Sequence, residues 1–256
     1  MQPLSNMSAE NALRIKALLF DLDGTFVSED ALLSSTYSSL EKTKNLGIKN
    51  IAVTGRPAGW CDLMARWWPI DAVVGENGAF SYSKVNNRIV RNTYHDHISY
   101  PAYQQKLQSL FEELLVKYNY LKLASDQSFR HWDLAIDIAE ESEVPLEVAL
   151  DVVKICQDRG ARAAISNIHV NIWFGDYNKE NMSLKVLNDF GLTKNDGIYI
   201  GDSPNDSPMF GCFPLSIGVS SVSNYKDIMD NLPNYVTKGS GADGFVELVE
   251  FISSTR

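Results

Sequence analysis

Long apolar runs, clusters of basic residues and paired cysteines are all missing from this chain. No stretch approaches the roughly 20 consecutive apolar residues that a membrane-spanning helix needs, so a membrane-embedded transporter is excluded. The opening Met1 to Ala12 is polar, and the apolar run after it is short and broken by Asp21, which fits neither a secretory signal nor an anchor. A cytoplasmic location is the expectation, with Met1 to about Asn11 read as an unstructured lead-in. Lys and Arg number 23 against 32 Asp and Glu, for a formal net charge of −9. Without a basic cluster the chain cannot neutralise a row of phosphates, which argues against nucleic acid as a partner. Cys61, Cys156 and Cys212 are too widely spaced for a metal-ligand pattern and read as buried free thiols.

What is present is a globular composition with two acidic strand ends. With 45% apolar and 11% aromatic residues, 256 residues can bury one large core or two smaller ones. Asp21-Leu22-Asp23-Gly24-Thr25 follows the apolar run Ala17-Leu18-Leu19-Phe20. At the carboxyl end of a parallel strand, such side chains enter the crevice where α/β proteins bind ligands, and Gly24 lets the chain turn away. Two carboxylates roughly 4 Å apart repel by about 4 kcal/mol at an effective dielectric near 20, so a cation such as Mg²⁺ is the natural third member. A second acidic cluster, Gly201-Asp202-Ser203-Pro204-Asn205-Asp206, follows Ile198-Tyr199-Ile200, and two such strand ends can converge on one metal. Between them, Ile51-Ala52-Val53 ends in Thr54-Gly55-Arg56-Pro57, and Lys179 precedes a helical stretch from Asn181 to Phe190. Each piece alone has an ordinary reading as a turn, cap or solvated charge.

The four segments in this order resemble the motifs of the haloacid dehalogenase superfamily of hydrolases. The resemblance implies an α/β fold, a Rossmann-like parallel-sheet core with helices on both faces, interrupted by an α+β cap. It implies that Asp21 is the nucleophile forming an aspartyl-phosphate, that Asp23 is general acid and then base, and that Thr54 and Lys179 hold the phosphoryl oxygens. It implies a Mg²⁺ site from Asp21, the Asp23 backbone carbonyl, Asp202 and Asp206, with Asn205 orienting the loop and Gly24 and Gly55 beside the substrate. An Asp at position 23 fits a phosphatase or a phosphosugar mutase. Glu180 and Asn181 stand where a Gly is common after the lysine, so Lys185 is retained as an alternative to Lys179.

Periodicity fills in the rest. Leu32 to Leu46 reads as a helix stopped by Gly47, Ile48 to Val53 as a strand, and Ala58 to Trp68 as a helix with Trp60, Leu63, Met64 and Trp67 packing into the core. Asn77-Gly78 reads as a turn folding the next strand back. From Ser81 to Gly175 the pattern changes: helices at Ala102 to Tyr118 and Leu146 to Arg159, the latter after Pro145, and alternating strands through Leu134-Ile136-Ile138 and Val170-Ile172-Phe174. The expected division is therefore 1–80 with 176–256 as core and 81–175 as inserted cap, which resembles the class IIB cap of the sugar phosphatase, mannosyl-phosphoglycerate phosphatase and phosphomannomutase-like branch. By alternation His169, Asn171 and Trp173, with Asp133 and Asp137, leave the helix-covered face for the open one, which the resemblance implies looks toward the substrate and which otherwise reads as an ordinary polar outer face. Asn77 and Arg130 join them as expected substrate contacts, and Arg56 is expected either to contact the substrate anion or to brace the loop. The expected activity is Mg²⁺-dependent hydrolysis of a small phosphorylated metabolite, a sugar phosphate or phosphorylated glycosyl compound, by a monomer or homodimer. The alternatives are a phosphomannomutase-like mutase and a non-catalytic module that binds a phosphorylated ligand.

Overall fold

The computed structural model describes residues 1–28, 31–94 and 100–256. The strands in chain order are β1 (Gln2–Pro3), β2 (Ala17–Phe20), β3 (Lys49–Val53), β4 (Ala72–Gly75), β5 (Phe80–Val85), β6 (Arg88–Thr93), β7 (Lys122–Leu123), β8 (Leu134–Asp137), β9 (Arg162–Ile165), β10 (His169–Trp173), β11 (Gly197–Gly201), β12 (Ser216–Gly218) and β13 (Tyr235–Val236). The helices are α1 (Ala9–Arg14), α2 (Ser34–Asn45), α3 (Ala58–Trp67), α4 (Tyr100–Lys117), α5 (Leu146–Asp158), α6 (Lys179–Asp189), α7 (Ser207–Cys212) and α8 (Gly241–Thr255).

A nine-stranded sheet in the order β1-β13-β12-β11-β2-β3-β4-β5-β6 forms the core. Its strands are parallel from β1 through β4, and β5 and β6 add an antiparallel edge. Side chains alternate across the strands, so neighbours along β2 enter different cores. Leu18 and Phe20 pack with Leu40 of α2, Cys61 and Met64 of α3 and Phe245 and Leu248 of α8, whereas Ala17 and Leu19 pack with Met182 and Val186 of α6 and Met209 and Phe210 of α7. Helices thus cover both faces. Gly47 ends α2 at φ +76°, in the left-handed region that glycine occupies without a Cβ clash.

The second sheet, β7-β8-β10-β9, is antiparallel and carries α4 and α5 on one face. Leu134, Ile136, Val170 and Ile172 bury against Leu107, Leu110 and Phe111 of α4 and Val152 and Cys156 of α5.

Three expectations are corrected. The change of sheet falls after Thr93 instead of at Ser81, because β5 pairs with β4 and buries Phe80 and Tyr82 in the main core. The N-terminus is ordered: β1 pairs with β13, and Leu4, Met7 and Ala12 are buried. Helix α3 buries its small face, Ala58, Cys61, Met64 and Ala65, while Trp60, Leu63 and Trp67 are exposed, Trp67 at 75%. Small residues spaced three and four apart let α3 lie close to the sheet, which turns the bulky rings outward.

Candidate active site

Strands β11, β2 and β3 lie side by side with Ile200, Phe20 and Ala52 in register, so their carboxyl ends bring Asp202, Asp21 and Thr54 to one level. The chain leaves β2 toward β3 on one side and reaches β11 on the other, the topological switch point at which α/β sheets open a crevice. The Asp21 amide donates to the Ile200 carbonyl at 3.0 Å, fixing its backbone before the turn. Gly24 follows at φ +80°, and a Cβ there would collide with the Asp202 carboxylate and come within 2.7 Å of Asn167 Nδ2.

Lys179 Nζ donates to Asp21 Oδ1 at 2.7 Å and to Asp206 Oδ1 at 2.8 Å. It is the first residue of α6, whose N-cap Asn178 side chain accepts from the Asn181 amide. An ammonium at a helix N-terminus opposes the helix dipole, and the two buried carboxylates offset that cost. Burial works against its charge, but Asp206 and Asp21 outweigh burial and raise its pKa. Lys185 is surface-exposed and pairs with Asp189 at 3.5 Å, away from these acids. Asp206 is fully engaged: Oδ1 also accepts from Tyr199 Oη, and Oδ2 accepts from the backbone amides of Asp202 and Ser203.

Asp21, Asp202 and Asp206 are buried with ligand oxygens within 4.8 Å of one another. Burial pushes the Asp21 carboxyl up to about 8, with Asp206 and Asp23 adding to the rise and Lys179 opposing it. Asp202 is likewise held well above the carboxylate range, first by burial and then by Asp21 and Asp206. Three buried carboxylates against one ammonium form an all-oxygen donor set that suits a hard divalent cation. Among the described residues, the second oxygens of Asp21 and Asp202 accept no hydrogen bond, so the two carboxylates retain free lone pairs.

Thr54 is buried, and its Oγ1 accepts from the Arg56 amide at 2.9 Å, leaving its hydroxyl proton to donate. Arg56 lines the same cavity and is held by three acids, which fits the loop-bracing expectation. Its Nε and Nη2 grip Asp23 at 2.8 to 3.0 Å, Nη2 also reaches Glu140 at 2.8 Å, Nη1 reaches Asp126 at 3.3 Å, and the guanidinium lies over Trp60 at 4.5 Å. Arg130, expected at the substrate, is a buried brace: it bonds Asp126, Asp133 and, at 2.8 Å, the Gly55 carbonyl, tying the smaller sheet to the Thr54 loop.

The open face of the smaller sheet does face the acids, as alternation required, but its members differ in what they touch. His169 and Asn171 line a small cavity with Asp21, Asp23, Gly55 and Arg56, of only about 10 Å³, room for about one water molecule. His169 Nε2 meets Glu140 at 2.9 Å, and Asn171 donates to Asp133 at 3.0 Å. Trp173 instead stacks on Tyr177 with centroids 5.6 Å apart and donates to its carbonyl, so it joins the core with Trp132. Asp137 caps the turn at the Glu140 and Glu141 amides. Asn77 donates to Asp133 at 3.4 Å, and Asn205 accepts from Ser203 Oγ at 2.9 Å. Asn77, Trp173, Asn205 and Lys179 also border a cleft of about 840 Å³ between α5 and α7, so Trp173 lies at the edge of the core beside the site.

Four residues at the site were not singled out from sequence: Glu76, Asp126, Glu140 and Asn167. Glu76 sits in the β4–β5 turn, where Glu76, Asn77 and Gly78 all have positive φ. Its carboxylate accepts from four backbone amides, those of Ala58, His131, Trp132 and Asp133. The Glu76-Asn77-Gly78 string gave a signal for the turn but none for these distant partners.

The comparisons with known proteins agree with this arrangement. A phosphoglycolate phosphatase of Methanosarcina mazei is 26% identical over 247 residues, covering 94% of this chain and 98% of that protein. A solved protein of Thermoplasma acidophilum superposes with a TM-score of 0.73 at 18% identity, covering 94% of this chain and 99% of the other. A subclass IIB sugar phosphatase shares the fold with a TM-score of 0.64 at 17% identity, covering 92% of this chain and 98% of the other. The family described as haloacid dehalogenase-like hydrolase matches residues 18–126 and 96–248. The α/β core with its inserted smaller sheet and the convergence of four separated motifs on one crevice are accounted for together: the chain belongs to the haloacid dehalogenase-like hydrolases.

Proposed function

We propose that this hydrolase is a Mg²⁺-dependent phosphatase acting on a small phosphate monoester through a phosphorylated Asp21. The observation that carries the reading is Lys179 bridging Asp21 and Asp206 inside a buried acidic cluster, with Asp23 facing the same cavity. In the first half-reaction an Asp21 oxygen forms a bond to phosphorus as the bond to the ester oxygen breaks, and Asp23 gives that oxygen its proton. In the second, Asp23 takes a proton from water, the water oxygen bonds to phosphorus, and Asp21 leaves as a carboxylate with inorganic phosphate released. Arg56 holds the Asp23 carboxyl group in place through three hydrogen bonds. Lys179 and the Thr54 hydroxyl are suited to the phosphoryl oxygens. A divalent cation held by Asp21 and Asp202 would offset the repulsion between an anionic nucleophile and an anionic phosphate. Asp206, whose two oxygens already have partners, would steady Lys179 and the Asp202 loop.

Relatives named phosphoglycolate phosphatase and a structural neighbour named sugar phosphatase support small phosphorylated compounds as the substrate class. The test is phosphate release from a panel of such esters with and without Mg²⁺, with Asp21→Asn as control. Metal-dependent release that the substitution abolishes supports the reading; release that survives in Asp21→Asn refutes it.

A further inference from the structure

Among the described residues, the cations around the catalytic cavity are already matched by carboxylates. Lys179 holds Asp21 and Asp206. On the opposite side, the guanidiniums of Arg56 and Arg130 are outnumbered by Asp23, Asp126, Asp133 and Glu140. Glu140 belongs to the turn after β8 and spans two of the groups that would otherwise attract an anion: Oε1 meets Arg56 Nη2 at 2.8 Å and Oε2 meets His169 Nε2 at 2.9 Å. The smaller sheet contributes otherwise amide, hydroxyl and apolar groups to the cavity wall, from Ser166, Asn167, Ile168 and Asn171. Asn167 Oδ1 is buried and accepts no hydrogen bond. Such an acceptor is satisfied by a hydroxyl group, which has a proton to give, and repels a carboxylate, which has none.

We propose that Glu140 is a specificity-determining residue that occupies the anion position between Arg56 and His169 and so restricts the enzyme to phosphate esters with a neutral, hydroxylated leaving group. The inference rests on the phosphatase reading and deepens it. A leaving group bearing a carboxylate would have to displace Glu140 or enter a wall where negative charge is in excess. A polyol or sugar hydroxyl meets neither obstacle and finds Asn167 Oδ1 as acceptor. The chain would then differ in preference from its relatives named phosphoglycolate phosphatase.

The experiment compares kcat/KM for phosphoglycolate, glycerol phosphate, a hexose phosphate and p-nitrophenyl phosphate in the wild type, Glu140→Gln and Glu140→Ala, all with Mg²⁺. The wild type is expected to prefer glycerol phosphate or the hexose phosphate over phosphoglycolate. Both variants are expected to raise the ratio of phosphoglycolate to glycerol phosphate turnover by about tenfold, equivalent to about 1.4 kcal/mol at 25 °C. Because the readout is a ratio within one preparation, partial loss of folded enzyme cancels, and the wild-type preference is decisive even where a variant does not fold. A wild type that prefers phosphoglycolate, or a ratio unmoved in the folded variants, overturns the role of Glu140 while leaving the phosphatase standing. No phosphate release from any ester, p-nitrophenyl phosphate included, overturns both.

Discussion

Replacing Glu76 by Gln tests whether one buried carboxylate fastens the smaller sheet to the core. Oε1 accepts from Ala58 N at 3.0 Å and His131 N at 2.9 Å, and Oε2 accepts from Trp132 N and from Asp133 N at 3.0 Å. Gln retains one acceptor oxygen. If it keeps Trp132 and Asp133, its NH₂ faces the amides of Ala58 and His131, donor against donor. Loss of a charge-assisted hydrogen bond costs about 1.5–3 kcal/mol, and a buried amide left without a partner costs about 1–3 kcal/mol. With part of the His131 contact surviving through Oε2, the expected destabilisation is about 3 kcal/mol for Gln and roughly 5 kcal/mol for Ala, which orphans all four donors. At about 2–4 °C per kcal/mol for a chain of this size, Gln lowers Tm by roughly 6–12 °C. Urea unfolding followed by tryptophan fluorescence reads this directly, since Trp132 and Trp173 are buried next to the junction. A Gln variant within about 1 kcal/mol of wild type, or an Ala variant no worse than Gln, would show that the four amides find other partners and that the reasoning is wrong.

Lys179→Met is expected to lower kcat by about 100- to 1,000-fold, whereas Lys185→Met, at an exposed position, leaves it within about twofold; steady-state phosphate release separates them. Trp173→Ala is expected to cost about 3–5 kcal/mol of stability as a core truncation without changing the order of substrate preference, and a changed order would restore it as a substrate contact. Gly78→Ala places a Cβ against the Asn178 carbonyl at φ +105°, so it should reduce both Tm and kcat by displacing the start of α6; an unchanged kcat refutes the link to Lys179. The Glu140 carboxyl is held down at about 2, first by its hydrogen bond to His169 and then by Arg56, against an ordinary value of 4.5. Its stabilising contribution is complete above the ordinary value and lost as pH falls toward the lower one, so wild-type stability should drop more steeply than that of Glu140→Gln across that acid window, as followed by urea unfolding.

The acidic strand ends could be read from sequence because their signal is local. An apolar run ending in Asp21-Leu22-Asp23-Gly24 or Gly201-Asp202 specifies a strand, a turn and a carboxylate within a few residues, and the parallel sheet then brings the ends together. Alternation likewise placed His169 and Asn171 on the face toward the acids. What it could not tell is which neighbour each side chain meets. Trp173 shares their face but finds Tyr177, four residues on, and Arg130 finds Asp126 and Asp133 before any substrate could. Glu76 and Glu140 were missed for the same reason, since their partners are 18 or more residues away in sequence and nothing beside them marks the pairing. In α3 the periodicity was read correctly but the face was not, because large rings were given the core that Ala58, Cys61 and Ala65 occupy.

The cavity beside Asp21 and Asp23 has room for about one water molecule, whereas Lys179 and Asn205 also border the cleft of about 840 Å³. If a substrate reaches Asp21 only when the smaller sheet stands away from it, the apparent dissociation constant equals the intrinsic one divided by the fraction of molecules in that form. Each tenfold strengthening of the contacts that Arg56, Arg130 and Glu76 make across the junction therefore weakens apparent affinity about tenfold once the closed form dominates. Those contacts would then act as a setting on KM, which changes at Arg130 or Glu76 would retune without touching Asp23.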